Sequence, residues 1–207
     1  MPNISQQLQE YAQYIREWNA HGWSPATSTN YSVRIAPDLM AISQSGVDKS
    51  RFTEQHFLQM GISSGQLIAP PAGVRSSAET GLHLALYRVS AETNAIVHTH
   101  TVYNTILSER YLAQGYLRLA GYELLKAIDG YTTHESVLDV PVFANTQDID
   151  ALAAEFVQRY ASEPTMKAYL ISGHGLYTWG KTVEEAKRQL EALEFLLECE
   201  YRKTAMR

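Results

Sequence analysis

Apolar positions in the N-terminal segment recur at intervals of three and four. Ile4, Leu8, Tyr11, Ile15 and Trp18 follow the period of an amphipathic helix. Gly22 stands where such a helix stops. From Asn30 the texture changes to alternation. Tyr31, Val33 and Ile35 lead into the turn Ala36-Pro37-Asp38, and Leu39-Met40-Ala41-Ile42 returns, which predicts a hairpin. A second hairpin is predicted from 57–60 and 66–69 around Ile62-Ser63-Ser64-Gly65. Ser76-Ser77-Ala78-Glu79 opens a helix carrying Leu82, Ala85, Leu86 and Val89, with Ser76 and Glu79 spaced as a capping box. A strand over 95–100, a helix over 101–112 and a strand over 137–143 follow. Thr146 begins a helix bearing Ile149, Leu152, Phe156 and Tyr160. Strands over 168–172 and 176–179 flank Gly173-His174-Gly175. The capping box Thr182-Val183-Glu184-Glu185 starts a long terminal helix with Ala186, Leu190, Leu193 and Leu197 inward. No repeat or domain break interrupts this order. The expectation is one α/β domain over 1–207, with a largely antiparallel central sheet between helices.

Composition narrows the class. At 207 residues, 45% hydrophobic and 19% charged, the chain is long enough to bury a substantial core and is not a disordered polymer. Lys and Arg number 17 against 22 Asp and Glu, a net charge of −5 with no basic run. Nucleic acid is therefore not expected as a partner, because phosphate-backbone binding needs clustered cations. No apolar stretch approaches the roughly 20 residues that cross a bilayer, so no membrane partner is expected. The start, Met1-Pro2-Asn3-Ile4-Ser5, lacks a basic region followed by an apolar core. The single cysteine, Cys199, has no partner for an internal disulfide. A reducing cytoplasm is the expected setting.

Val97-His98-Thr99-His100 carries the candidate chemistry. Side chains two apart on a strand share a face, so His98 and His100 aim two imidazoles at one point while Thr99 faces away. Two neutral imidazoles and a third nearby make a divalent transition-metal set. An isolated pair of this kind reads as readily as two histidines hydrogen-bonded on a half-buried strand. Apolar Ile96 and Val97 shift the balance, because two imidazolium charges in a partly buried place are costly. His174, between two glycines at a strand end, is the candidate third ligand; its plainer reading is a turn histidine. His21 belongs to a helix end, and His56 and His83 have no partners in spacing. His134 lies in a polar loop and is a weak candidate for substrate contact.

His98-Thr99-His100 followed by His174 within Gly-His-Gly resembles the class II aldolase/adducin-like family. The resemblance runs along almost the whole chain. It includes Thr29-Asn30-Tyr31-Ser32-Val33-Arg34, Ser45-Gly46-Val47, Ser77-Ala78-Glu79-Thr80 and the helix after Thr182. Gly121-Tyr122-Glu123-Leu124-Leu125-Lys126, Asn145-Thr146-Gln147-Asp148-Ile149 and the segment 173–180 are most similar to family members that dehydrate a ketose phosphate. The resemblance implies a three-layer α/β/α fold, one Zn²⁺ per subunit on His98, His100 and His174, and a homotetramer with sites near subunit boundaries. It also makes Glu123 the catalytic acid/base. On the residues alone Glu123 reads as a solvated carboxylate at the start of a short helix. Sugar-phosphate aldolases of the family carry a catalytic carboxylate at the place of Glu79. Glu79 is nonetheless expected to be structural or to support the site from behind, ranking after Glu123.

By the same resemblance the substrate phosphate is held by Asn30, Ser45, Gly46 and Ser77, with Ser76 and Lys49 nearby. Free N–H groups at a helix start and around glycine suit an anion without a buried cation. Family members commonly have Gly before the Asn, where this chain has Thr29, which either narrows the pocket or shifts the turn. The implied activity is a hydro-lyase acting on a small sugar phosphate. A zinc aldolase or epimerase, and a metal-free adducin-like module, are the rivals on the same scaffold; an intact histidine set speaks against the last.

Overall fold

The computed structural model describes residues 3–206. Five helices and eight strands alternate along it. They are α1 (Ile4–Ala20), β1 (Asn30–Ala36), β2 (Leu39–Ser43), β3 (Phe57–Gly61), α2 (Thr80–Val89), β4 (Ala95–Thr99) and α3 (Val102–Tyr111). Then come β5 (Tyr116–Ala120), β6 (Val137–Phe143), α4 (Ile149–Ser162), β7 (Ala168–Ile171), β8 (Gly175–Gly180) and α5 (Val183–Ala205). The strands form one sheet in the order β3-β2-β1-β4-β8-β7-β6-β5. Every neighbouring pair is antiparallel except β6 with β7.

Alternation along the strands sends side chains into two apolar layers. Tyr31, Val33, Val97 and Leu176 face α1, α3 and α5, where they meet Tyr11, Ile15, Trp18, Leu107, Leu190 and Leu193. Ile42, Ile96, Tyr177 and Trp179 face α2 and α4, against Leu82, Leu86, Leu152 and Phe156. Helices on both faces give the expected three layers. The inward stripe of α5 behaves as its spacing predicts, with Leu190, Leu193 and Leu197 all fully buried. Truncating any of them to Ala leaves a cavity that costs about 2–5 kcal/mol.

Several boundaries differ from the sequence reading. The stretch 66–69 forms no strand: Leu67 makes one isolated bridge to Met60, and β3 instead pairs along its length with β2. Turn residues at 62–65 gave the impression of a hairpin, yet the returning arm, Gln66-Leu67-Ile68-Ala69, runs into Pro70 and Pro71, which donate no ladder hydrogen bonds. β5 was not expected. Buried Leu117 and Leu119 alternate with exposed Arg118 and Ala120, but the run is short and follows the helix end without a break in composition. The α4 helix starts at Ile149, capped by Asp148, whose carboxylate accepts from Ala151 N–H at 3.0 Å. Ser76 and Glu79 do not form a capping box, because the Glu79 side chain is spent elsewhere.

Candidate metal centre and active site

The strand registers line up three polar side chains. His98 of β4 lies opposite Asn30 of β1 on one side and Tyr177 of β8 on the other, so all three stand in a row on the α2/α4 face. His100 follows just past β4, and His174 comes from the turn between β7 and β8. The three rings are steep to one another. Centroids of His98 and His100 are 4.6 Å apart at 72°, His100 and His174 4.6 Å at 89°, and His98 and His174 5.1 Å at 83°. One ring nitrogen from each lies within 4.8 Å of the others.

The hydrogen bonds around the rings settle which nitrogen points inward. His98 Nδ1 is 3.0 Å from the Leu176 carbonyl, which only accepts, so Nδ1 carries the hydrogen and Nε2 offers its lone pair. That Nε2 faces His100 Nε2 at 2.7 Å. Burial pushes His98 well below the ordinary histidine range and His100 down to about 4. Both rings are therefore neutral near pH 7, the form that ligates a metal. The convergence requires Gly175 as well. A Cβ there would sit 2.3 Å from the Thr99 carbonyl oxygen and 2.7 Å from His98 Cε1.

The carboxylate at this cluster is Glu79. Its Oε1 lies 3.0 Å from His174 Nε2 and its Oε2 3.4 Å from His98 Nε2. Oε2 also accepts from Asn30 Nδ2 at 2.8 Å and from the Tyr177 hydroxyl at 2.9 Å. Burial opposes ionisation, but the hydrogen bonds from His174 and Asn30 outweigh it and hold the carboxyl well below the usual carboxylate range. The Tyr177 ring stacks on His98 at 4.0 Å and 15°, and Tyr169 stacks in turn on Tyr177 at 4.8 Å and 5°. An anion set beside the neutral rings of His98 and His100 is what a divalent cation offsets. The donor set of three imidazoles beside a carboxylate fits zinc and its borderline neighbours.

Two cavities open onto the cluster, and Glu79 and His100 line both. The smaller, about 220 Å³, is polar and includes Asn30, Ser45 and Ser77 of the expected phosphate set. Its walls are distant in sequence but tied together: Ser45 N–H donates to the Arg75 carbonyl at 2.9 Å, and Gln44 bridges Ser76. Gly46 adopts φ 77° in the turn after Ser45 and is not itself part of the cavity lining. Lys49 sits behind the wall, fully buried, donating to the carbonyls of Val47 and Thr27 at 3.1 and 3.4 Å. Burial lowers it to about 8. The larger cavity, about 750 Å³, has an apolar side built from Leu82, Ile106 and Leu152.

Thr29 keeps the turn that a glycine would make. Its φ is 75°, a left-handed value that is costly for a β-branched residue, and its hydroxyl donates to the Tyr31 hydroxyl at 2.9 Å.

Glu123 is not brought to the cluster within this chain. Its side chain is 70% exposed at the start of the short 3-10 turn Glu123–Ala127, paired with Lys126 and 3.6 Å from His134 Nδ1. That is the solvated carboxylate the residues alone suggested, and His134 beside it is likewise away from the cluster within this chain. Within one chain the carboxylate beside the three histidines is Glu79. The capping-box spacing assigns the same carboxylate to a backbone N–H, a contact it does not make.

Sequence reasoning also passed over Glu194. It is buried on α5, accepting from Thr99 Oγ1 at 2.5 Å, Thr101 Oγ1 at 2.9 Å and Asn104 Nδ2 at 3.0 Å. It thus grips β4 from the face opposite His98. The signal was present: Glu194 follows Leu190 by four, inside the apolar stripe.

Comparison with known proteins agrees with this architecture. The sequence profile of the class II aldolase and adducin N-terminal domain matches residues 9–201. A methylthioribulose-1-phosphate dehydratase of Xanthomonas campestris pv. campestris (strain 8004) is 48% identical over 204 residues, covering 97% of this chain and 92% of that protein. One from Stenotrophomonas maltophilia (strain R551-3) is 45% identical over 203 residues, covering 96% and 93%. Among solved structures, an L-fuculose 1-phosphate aldolase superposes with a TM-score of 0.78 at 22% identity, over 98% of this chain and 88% of that one. That last likeness concerns the fold. With the profile matched from end to end of the sheet and relatives nearly half identical along it, this chain belongs to the class II aldolase and adducin N-terminal domain family.

Proposed function

We propose that this chain is a hydro-lyase that converts 5-methylthioribulose 1-phosphate into 5-methylthio-2,3-dioxopentyl phosphate, a step of methionine salvage. The observation that carries the reading is the convergence of His98, His100 and His174 beside Glu79, in a chain 48% identical to dehydratases of that name. His98, His100 and His174 would hold one Zn²⁺ per subunit. Bound there, the cation supplies Lewis acidity to the ketose oxygens and so acidifies the neighbouring C–H bond.

The chain's own groups supply the rest. Asn30 and Tyr177 hold Glu79 Oε2, and Oε1, beside His174 on the cluster side, takes the C3 proton. The same carboxyl group can return a proton to the C4 hydroxyl, which leaves as water, and the resulting enol tautomerises to the diketone. Ser45, Ser77 and Asn30 line the polar cavity proposed for the phosphate. The apolar side of the larger cavity suits the methylthio end. Glu123, in this reading, acts only where a neighbouring copy in the proposed homotetramer presents it to the site. The proposed setting is the cytoplasm; no described helix is long and apolar enough to cross a membrane.

One observation favours a second reading, a sugar-phosphate aldolase or epimerase: Glu79 stands in the site, at the place where the family's aldolases carry their catalytic carboxylate. Product analysis decides between the two. Mass spectrometry of the reaction with 5-methylthioribulose 1-phosphate should show a product lighter by one water. Dihydroxyacetone phosphate as the main product would instead establish the aldolase.

A further inference from the structure

Beneath the cluster runs a file of polar side chains that the reaction above leaves unused. His83, on α2, is fully buried between Ser32 of β1 and Asn30 at the head of the same strand. Its Nδ1 is 2.7 Å from Ser32 Oγ, and its Nε2 is hydrogen-bonded to Asn30 Oδ1. Ser32 Oγ lies 3.0 Å from the Tyr87 hydroxyl, for which the Asn94 carbonyl at 3.3 Å is the other acceptor.

The proton positions follow from what each atom can do. Burial holds His83 neutral, at about 3, so the ring has one N–H. Asn30 must turn its amide N–H toward Glu79 Oε2, 2.8 Å away, because the opposite orientation would set two acceptors face to face. Its oxygen therefore faces His83, and an amide oxygen only accepts. Nε2 carries the hydrogen, Nδ1 accepts, and Ser32 is the donor to it. From Ser32 onward the direction is fixed whichever acceptor Tyr87 uses: Ser32 to His83, His83 to Asn30, Asn30 to Glu79. A buried histidine with both nitrogens engaged in this sense has one function at its far end, which is to prevent the Asn30 amide from flipping.

We propose that His83 is a positioning residue for Glu79: by holding the Asn30 carboxamide oxygen it keeps the amide N–H on Oε2 and leaves Oε1 for proton exchange with substrate. The proposal rests on the reading of Glu79 as the proton-transfer group. It also gives Asn30 a task distinct from the phosphate contact expected of it. The two tasks separate experimentally, since phosphate binding appears in KM and carboxylate orientation in kcat.

The test uses His83→Leu, which lacks the donor, and His83→Gln, whose amide can donate to Asn30 and accept from Ser32. His83→Leu should lower kcat by about tenfold, the equivalent of one oriented hydrogen bond. Its dissociation constant for inorganic phosphate and its metal content should stay at parent values. His83→Gln should recover most of the loss. Should the Leu variant fold poorly, Ser32→Ala serves, because it removes the donor to Nδ1 and frees the ring to take the wrong tautomer. Nitrogen-15 NMR of the parent supplies a readout independent of turnover, with the His83 hydrogen expected on Nε2. A hydrogen on Nδ1, an unchanged kcat in both His83→Leu and Ser32→Ala, or a loss confined to phosphate affinity would overturn the proposal. Glu79→Gln, run alongside, separates the two levels. If Glu79→Gln turns over like the parent, the reading of Glu79 fails first. If it is inactive while His83→Leu is unaffected, the positioning role alone falls.

Discussion

Glu79 Oε1 lies 3.0 Å from His174 Nε2, on the side of the carboxylate that neither Asn30 nor Tyr177 occupies. The group is thus fixed through Oε2, while Oε1 faces the cluster beside His174 and is the oxygen proposed to exchange a proton with substrate. Glu79→Gln preserves size and most hydrogen bonding but cannot exchange a proton. Positioned acid–base groups contribute about 10²–10⁴-fold, so kcat should fall by that order with metal retained. Glu123→Gln in the same assay measures what a neighbouring copy contributes. Near-parent turnover in Glu79→Gln together with a collapse in Glu123→Gln would transfer the role to Glu123.

The metal assignment makes a separate demand on elemental analysis. His98→Ala removes a lone pair that the Leu176 carbonyl orients; the parent should purify with about one divalent ion per chain and the variant without it. Gly175→Ala touches no candidate ligand atom, yet its Cβ would meet the Thr99 carbonyl at 2.3 Å and His98 Cε1 at 2.7 Å. It should therefore lose metal as well, by displacing β4 from β8. A fully metallated His98→Ala protein would show that the ion is held elsewhere.

How far the sequence discloses this site depends on the range of the contacts involved. His98 and His100 declare themselves through strand period, and His174 through its flanking glycines, because each signal is local. The row Asn30–His98–Tyr177 does not, since it arises from register across β1, β4 and β8. From spacing alone Glu79 was legible as a helix-start residue, and only the family resemblance pointed to the site, because its partners lie on three separate strands and turns. The helices and most strands follow their periodicities. The misread return arm at 66–69 and the unseen β5 are short segments where turn chemistry or weak alternation gives little to read.

Thr29 should carry backbone strain, and two variants that both lack its hydroxyl isolate it. Thr29→Val keeps the β-branched side chain at φ 75°, whereas Thr29→Gly releases it. Strain of this kind costs on the order of 1–3 kcal/mol, and glycine returns roughly 0.5–1 kcal/mol of it through the freer unfolded chain. Chemical denaturation should therefore find Thr29→Gly about 1 kcal/mol more stable than Thr29→Val. The reverse order would mean that the left-handed turn is not maintained in solution.

Glu194 offers a stability test with a defined sign. Burial raises its carboxyl to about 7, against 4.5 as the reference value, despite three hydrogen-bond donors. An acid whose folded pKa is raised stabilises the fold fully below its unfolded pKa, and that contribution is lost as pH rises through the folded value. The window runs from about 4.5 to about 7. Glu194→Gln cannot ionise, so its stability relative to the parent should climb across that window, by on the order of 3 kcal/mol in total. Parallel melting curves of the two proteins across this range provide the comparison. A constant difference between them would show that Glu194 is ionised in the fold throughout.

The polar cavity makes the last prediction. Ser45 and Ser77 line it beside Asn30, but the residues differ in what else they touch. Asn30 donates to Glu79 at 2.8 Å, while no other side chain engages the Ser45 hydroxyl among the described residues. A phosphate contact persists from substrate to transition state, so its loss raises KM and leaves kcat alone. Hydrogen bonds to a charged group are worth about 1.5–3 kcal/mol, which corresponds to roughly tenfold or more in KM for Ser45→Ala. Ser77→Ala should behave similarly, with a small added cost because Ser77 Oγ also accepts from Glu79 N–H at 3.2 Å. Asn30→Ala should differ in kind: KM rises and kcat falls too, since Glu79 loses the donor that fixes Oε2. The unphosphorylated sugar supplies the control, being a poor substrate for the parent and no worse for Ser45→Ala. Equal kcat/KM for the phosphorylated and unphosphorylated sugars in the parent would place the phosphate outside this cavity, and a pure KM effect in Asn30→Ala would sever Asn30 from Glu79.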